Sequence, residues 1–544
     1  MHFILHSDID QGSIRANLGR PEYSYYFVLR AFLPALERLG TVELVRDPLS
    51  EIDPIFDRCR DRGETCVHLS FSPPNKTPLG LRCPSIVLFA WEYSNIPYES
   101  WDEDPRNDWR VPLGKLGRAI TLSGHTARTV KAAMGEDFPV RAIAAPVWDR
   151  FAKLRAAGVP TPIIAGAVLR IRGIVFDSSM LNLSVDLLVP PLRPKERTKE
   201  TEASSEGTSS ERHADATPVT DRALPVADAD GPAGEESGPA TVPPEPAAQP
   251  PRSLRYRLGI GKRHLIEWYR ETLRDHLPRP LSQAVSWSGR VGEASMRAVL
   301  KRLDPAQVAR LKLDGVVYTS VLGPTDGRKN WFDMVTGFCF AFRDTPDATL
   351  VLKMIHHEVG DYRDTLILLL SQLAPFRCRV IAVHAYLEDK AYARLIRGTT
   401  YYVNTSLGEG LCLPLMEFMA SGRPAIAPRH TAMEDYVDEG GAFIVDSSLQ
   451  YSVWPHDPRW MFRSERYRLD WESLVAAYRE SYRIAKTAPE RYAAMGQHAA
   501  KRIHDLASIS VVTEQLRSFF QPEPIAAEPS DRASLPPLVA VESA

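Results

Sequence analysis

The stretch GEGLCLPLMEFMASG, residues 408–422, decides how this chain is read. A strand-like run, Tyr401–Asn404, leads into a loop holding Gly408 and Gly410. Pro414 then opens a helix, and Gly422 followed by Pro424 ends it after about two turns. The backbone N–H groups of Gly410, Leu411, Cys412 and Leu413 thus lie at a positive helix end, a ready site for phosphate. Glu409 stands just before these amides and Glu417 one turn inside the helix. A carboxylate beside a bound anion is best used to accept hydrogen bonds from hydroxyls, which sugars adjoining a diphosphate would supply. A capped helix carrying two solvated glutamates is the plainer alternative.

Outward from this motif, short β-rich runs alternate with helical patterns on both sides of one composition break. Before it, strands are expected at His2–Leu5, Val42–Val45, Cys66–Leu69, Ser85–Ala90 and Ala119–Leu122, with helices at Tyr23–Leu39 and Thr126–Met134. After it, strands at Val316–Ser320, Thr349–Lys353, Arg379–Val383, Tyr401–Asn404, Pro424–Ala427 and Ala442–Val445 enclose helices such as Trp331–Phe342 and Tyr362–Leu373. Such alternation means βαβ units on parallel sheets, with a cleft at the carboxyl ends of the strands. The break, Lys195–Pro251, carries twelve acidic against five basic residues and no aromatic, so it cannot offset its own ordering. The expected division is an amino-terminal Rossmann-like domain, 1–190; a disordered acidic insertion, 191–252; a basic helical connector, 253–312; a carboxy-terminal Rossmann-like domain, 313–460; helices, 461–520; and a flexible tail, 521–544.

Composition narrows the function. Of 544 residues, 44% are hydrophobic and 25% charged, with a formal charge of −2, so no nucleic acid or other polyion partner is implied. Six cysteines stand without a CxxC pair, which argues against a zinc site or disulfide framework and fits a reducing compartment. His356-His357-Glu358 lacks a metal-ligand spacing. No metal is expected, nor any cofactor beyond a co-substrate. The start MHFILHSDIDQ does not read as a signal peptide, and no run is long and apolar enough to span a membrane, so a cytoplasmic location is expected. In the connector, basic residues interleave with Leu258, Leu265, Trp268 and Leu273. That makes 253–276 a candidate for peripheral contact with an anionic membrane, against a solvated helix packed on its own domain.

Glu409 and Glu417, with seven residues between and a Leu-Pro-x-x-Glu context ending Met419-Ala420-Ser421-Gly422, closely resemble the signature of glycosyltransferase family 4, the glycosyl transferases group 1. The resemblance implies the GT-B fold, two Rossmann-like domains facing a cleft, and retaining, metal-ion-independent transfer of a hexose from a nucleotide sugar. It implies that Glu409 contacts the donor hexose, Gly410 to Leu413 hold the diphosphate, and Glu417 binds the ribose. Arg328-Lys329-Asn330 and Lys353, at strand ends, are similar to the donor domain's opening, where cations would neutralise the departing diphosphate. Phe89-Ala90-Trp91-Glu92-Tyr93 resembles the Trp-Glu variant of the amino-terminal domain, found in polysaccharide and O-antigen transferases. The acceptor it implies is a glycan or a lipid-linked glycan.

Several positions depart from the family pattern. Trp91-Glu92 replaces a donor-contacting histidine, and Glu92 either serves the acceptor hydroxyl or is a structural carboxylate. Leu322–Gly327 lacks an arginine common in the first loop, and Leu411-Cys412 replaces an aromatic and a glycine. Ser406-Leu407 stands where the Trp-Glu subgroup has His-Arg. Tyr386 is a candidate to stack on the base, or a core aromatic. Gly12 and Gly19 flank a first loop that phosphate or acceptor could approach closely, or one that is merely flexible. The catalytic candidates are therefore Glu409, Lys329, Lys353 and Glu92; the donor-binding candidates are Arg328, Gly410, Leu411, Cys412, Leu413, Glu417, Tyr386 and Gly12. The alternatives are a non-catalytic GT-B scaffold and an interaction protein using the insertion as a tether.

Overall fold

The computed structural model describes residues 1–10, 12–14, 23–158, 160–181, 183–184, 308–356, 359–455, 457 and 459–521. The acidic insertion, the candidate membrane segment 253–276, all of the tail but Gln521, Gly19 and His357-Glu358 lie outside the described residues.

The first sheet holds β1 (His2–His6), β2 (Thr41–Leu44), β3 (Cys66–Phe71), β4 (Ser85–Phe89), β5 (Ala119–Thr121) and β6 (Val140–Ala142). Its order is β2-β1-β3-β4-β5-β6, and every pairing is parallel. Every residue of β3 is buried, as expected for a central parallel strand covered on both faces. The helix Tyr23–Glu37 turns Tyr25, Val28, Leu29, Phe32 and Leu36 inward at the 3–4 spacing of an apolar stripe. Ser123 caps the helix Gly124–Met134, its side chain accepting from the amide of Thr126.

The second sheet holds β7 (Ile164–Arg172), β8 (Ile174–Asp177), β9 (Val308–Leu322), β10 (Ala348–Met354), β11 (Arg379–His384), β12 (Tyr401–Val403), β13 (Ala425–Pro428) and β14 (Ala442–Val445). Its order is β14-β13-β12-β9-β10-β11-β8, with β8 antiparallel to β11 and β7 antiparallel to the first half of β9. Strand β9 changes partners at Gly315, which has φ +80°; a Cβ there would lie 2.1 Å from the carbonyl oxygen of Asp347. Two Rossmann-like sheets of this kind, their carboxyl edges meeting, form the GT-B fold.

The expected boundaries need correcting in three places, one of them Arg463–Leu469, assigned to the carboxy-terminal helices but forming a strand through its antiparallel pairing with Ser447–Val453. The hairpin β7–β8 lies inside 1–190 yet pairs with the second sheet, and Val308–Lys312, assigned to a helical connector, begin β9. The reason is long-range pairing, β7 meeting β9 across the insertion. The carboxy-terminal helices, Trp471–Thr487, Pro489–Ala507 and Ile509–Phe520, are present, and the last returns to the first sheet. There Phe520 packs on Phe3 with ring centroids 5.2 Å apart, and the Arg118 guanidinium lies 4.0 Å over the Phe519 ring.

An antiparallel hairpin, β15 (Ser447–Val453) and β16 (Arg463–Leu469), precedes those helices. It reaches the loop after β4. Trp454 packs against Trp91 and Trp101, Phe462 against Tyr98, and Asn95 Nδ2 donates to the carbonyl of Arg463 at 2.8 Å.

In each sheet the strand order reverses at one point, and ligands of open α/β sheets sit beyond the carboxyl ends of strands at such points. In the second sheet the reversal falls between β9 and β12. The loops leaving those two strands carry Arg328-Lys329 and Gly408–Cys412.

Candidate functional site

Glu409 stands at the centre of the site, with 3% of its surface exposed. Lys329 Nζ donates to Oε1 at 2.7 Å, Ser406 Oγ to the same oxygen at 2.6 Å, and Arg328 Nη1 to Oε2 at 3.1 Å. Its own amide donates to Thr431 Oγ1 at 3.0 Å. Burial alone would raise this carboxyl's pKa, but Lys329 and Arg328 outweigh it and hold the group well below the usual carboxylate range. Glu409 is therefore an anion whose charge is already matched by two cations.

Arg328 ties the two sheets together. Its Nε sits 2.9 Å from Glu92 Oε1 and 3.0 Å from Asp326 Oδ2, while Nη1 also donates to the carbonyl of Gly408 at 2.9 Å. Among the described residues the Glu92 carboxylate is engaged by Arg328. It is half of an ion pair between the loop after β4 and the loop after β9. Burial pushes its pKa up and Arg328 opposes the shift.

The same loops touch through glycine. A Cβ on Gly410 would lie 2.8 Å from Ala90 Cβ and 2.9 Å from the Trp91 amide nitrogen, and one on Gly408 would lie 3.0 Å from the Glu92 carbonyl oxygen. These glycines let the motif loop pack directly on the Trp-Glu segment.

The helix after the loop runs Leu413–Ala420, with Pro414 in its first turn. Among the described residues no acceptor takes the N–H of Gly410, Leu411, Cys412 or Leu413. Cys412 adopts φ +61° at the N-cap, and its sulfur accepts from Asn404 Nδ2 at 3.0 Å. Burial, reinforced by Glu409, pushes its thiol up to about 12, so it stays protonated.

Glu417 lies in the interior of that helix and is buried. Arg150 Nη1 donates to Oε1 and the Tyr392 hydroxyl to Oε2, each at 2.6 Å. Arg150 also reaches Asp389 at 2.8 Å, which in turn pairs with Arg30 of the first helix. Burial raises the Glu417 pKa against the pull of Arg150 and Tyr392. Lys353, in the fully buried strand β10, has no hydrogen bond or ion pair among the described residues. Burial brings its ammonium down to about 7, opposed by the Glu417 carboxylate.

The structure therefore brings together Glu409, Arg328, Lys329, Glu92 and the amides of Gly410–Leu413, with Glu417 one turn along the helix and Lys353 within its electrostatic reach. Two candidates lie on other loops. Tyr386, in the loop after β11, is half-buried and close enough to Tyr23 to raise that phenol's pKa. Gly12 lies in a turn closed by the Ser13 amide on Asp10 Oδ1 at 2.8 Å, where a Cβ would meet only Asp10, at an ordinary 3.4 Å.

Sequence reasoning missed Ser406, Asn404, Arg150, Tyr392 and Asp389. Ser406 and Asn404 were findable, because they occupy the strand-to-loop step just before Glu409. Arg150 has no local signal, being far from Glu417 in sequence.

No family model and no curated protein sequence matches the chain. Solved structures similar to it include S. aureus TarM, a G117R mutant in complex with fondaparinux, alpha-GlcNAc-glycerol and UDP. It is 8% identical, with 84% of this chain and 55% of that one covered and a TM-score of 0.40. HepE of Anabaena in complex with UDP and glucose is 10% identical over 95% of this chain and 98% of that one, with a TM-score of 0.42. Sucrose-phosphate synthase from Thermosynechococcus elongatus is 12% identical over 96% and 98%, with a TM-score of 0.43. The chain thus spans about half the length of TarM, and 35% of the pneumococcal O-GlcNAc transferase GtfA chain.

Proposed function

We propose that this protein is a glycosyltransferase that moves a hexose from a nucleotide sugar to a hydroxyl of a glycan or lipid-linked acceptor, with retention and without a metal ion in the transfer. The observation that carries the reading is the pairing of Glu409 and Glu417 about the amides of Gly410–Leu413, unpartnered among the described residues, with Arg328 and Lys329 bonded to Glu409, at the strand-order reversal of the second sheet.

In this account the donor diphosphate lies across the helix end and takes up Lys329 and Arg328 from Glu409. Their charge then follows the negative charge that grows on the departing diphosphate. Glu409, released in part, accepts a hydroxyl of the hexose. Glu417 exchanges Arg150 or Tyr392 for the ribose hydroxyls. Among the described residues no nucleophile–base pair is assembled around Glu409, which suits same-face attack in which the leaving diphosphate takes the acceptor proton. Glu92 acts by holding Arg328 rather than as a base.

The second reading is a scaffold that binds a nucleotide sugar without transferring it. Arg328 favours it, because three carboxylates already engage it. Release of nucleoside diphosphate from a donor, with an acceptor panel present, separates the two. Turnover lost in Glu409→Gln supports the transferase; donor binding with no turnover on any acceptor supports the scaffold.

A further inference from the structure

The six cysteines are scattered in sequence, but three of them meet at the amino end of the first sheet. Cys59 closes the helix Pro48–Asp61, Cys66 starts β3, and Cys83 precedes β4; all three are buried. The three cysteines pack in one buried cluster with Ile4, Val45, Ile52 and Ile55. Beside Cys59 stand His2, the first residue of β1 and the register partner of Cys66, and Glu64, whose amide donates to the Cys59 carbonyl at 2.9 Å. One ring nitrogen of His2, the sulfur of Cys59 and a carboxylate oxygen of Glu64 all lie within 4.8 Å of one another.

A second carboxylate completes the arrangement from outside. Glu43 Oε2 lies 3.2 Å from His2 Nε2. A histidine whose Nε2–H is held by a carboxylate carries its lone pair on Nδ1, the tautomer and orientation typical of a metal ligand backed by an outer carboxylate. Arg58, 3.6 Å from Glu43, balances that outer carboxylate.

We propose that His2, Cys59 and Glu64 bind one divalent transition-metal ion of the zinc class, with the fourth position taken by water. One thiolate, one imidazole and one carboxylate suit zinc, whereas magnesium and calcium demand oxygen. Binding releases the Cys59 proton to solvent and joins β1, the helix Pro48–Asp61 and the loop before β3 at one point. The site lies at the end of β1 opposite the cleft, four residues or about 13 Å along the strand from His6. It therefore serves the fold and not the transfer step.

The test uses the full chain, stripped with chelator under reductant and titrated with zinc against a chromophoric competitor. Cobalt(II) reports thiolate coordination by a charge-transfer band. One equivalent is expected to bind the wild type, with a cobalt–thiolate band and a raised thermal midpoint. Cys59→Ser should abolish the band, and His2→Gln and Glu64→Gln should weaken affinity by at least about tenfold. The last two lie nearer the surface and keep the test decisive if Cys59→Ser fails to fold. Absence of stoichiometric binding by the wild type, or equal binding in His2→Gln and Glu64→Gln, overturns the proposal. Donor turnover, if present, should persist after metal removal at temperatures where the chain stays folded, so failure here and failure of the transferase reading are read separately.

Discussion

Lys353→Met isolates what a buried, unpaired ammonium does beside this site. Burial brings Lys353 from 10.5 to about 7, and Glu417 offsets only part of that fall. Between pH 7 and 10.5 the unfolded chain holds a proton that the folded protein has shed, so stability rises with pH across that window. Below pH 7 the native state carries the whole cost, about 4–5 kcal/mol on an order-of-magnitude basis. Methionine has similar length and no charge. The variant should therefore melt above the wild type at pH 6–7, and the gap should close toward pH 10.5. A bound diphosphate reverses the preference. Charge near the Lys353 amine raises its pKa, so donor binding at pH 8 should take up close to one proton, and affinity should fall by up to about tenfold per pH unit above 7. Calorimetry in two buffers of different ionisation enthalpy counts that proton: near one for the wild type, near zero for Lys353→Met, which should also bind more weakly. No proton uptake by the wild type at pH 8, or no gain in midpoint for the variant at pH 6.5, would refute the reasoning.

Other substitutions test the remaining groups. Glu417→Ala removes a buried carboxylate that would accept two ribose hydroxyls, each worth about 1.5–3 kcal/mol, so donor affinity measured by calorimetry should drop about 100-fold or more. Glu409→Gln frees Lys329 and Arg328 from their counter-charge, so turnover should fall by about 10²–10³ while donor affinity does not weaken. Gly410→Ala forces a Cβ to within 2.8 Å of Ala90 and 2.9 Å of the Trp91 amide, so kinetics should show a larger loss than for Gly408→Ala, where the Glu92 carbonyl oxygen is 3.0 Å away.

Local pattern carried far into this fold and then stopped for physical reasons. The parallel strands β3, β10 and β12 are buried on both faces and read as apolar runs whatever their partners. The motif loop was legible because glycine, proline and the two glutamates have positional meaning at a helix start. The helix Pro48–Asp61 was missed, since Pro54 lies inside it and only Ile52, Ile55 and Cys59 turn inward. The hairpin β15–β16, SSLQYSV and RSERYRL, is polar along its length; aromatic contacts near its tip, from Trp454 and Phe462, hold it to the loop after β4. Strand β7 was missed, although buried Leu169 and Ile171 alternate there with exposed Arg170 and Arg172; its place in the sheet is set by β9, over 130 residues further along the chain. Within the site, residue types announced Glu409 and Glu417. That Glu92 serves Arg328, and that Arg150 occupies Glu417, depended on how the two sheets meet.

The measurement closest to the central claim is a thermal-shift series of UDP-, GDP-, ADP- and dTDP-sugars on the wild type beside Glu417→Ala. A ligand that binds the native state raises its midpoint by mass action. One nucleotide class is expected to raise the wild-type midpoint and leave Glu417→Ala unmoved. A donor that stabilises both proteins equally would contradict this, because the nucleotide would then be bound somewhere other than the helix Leu413–Ala420.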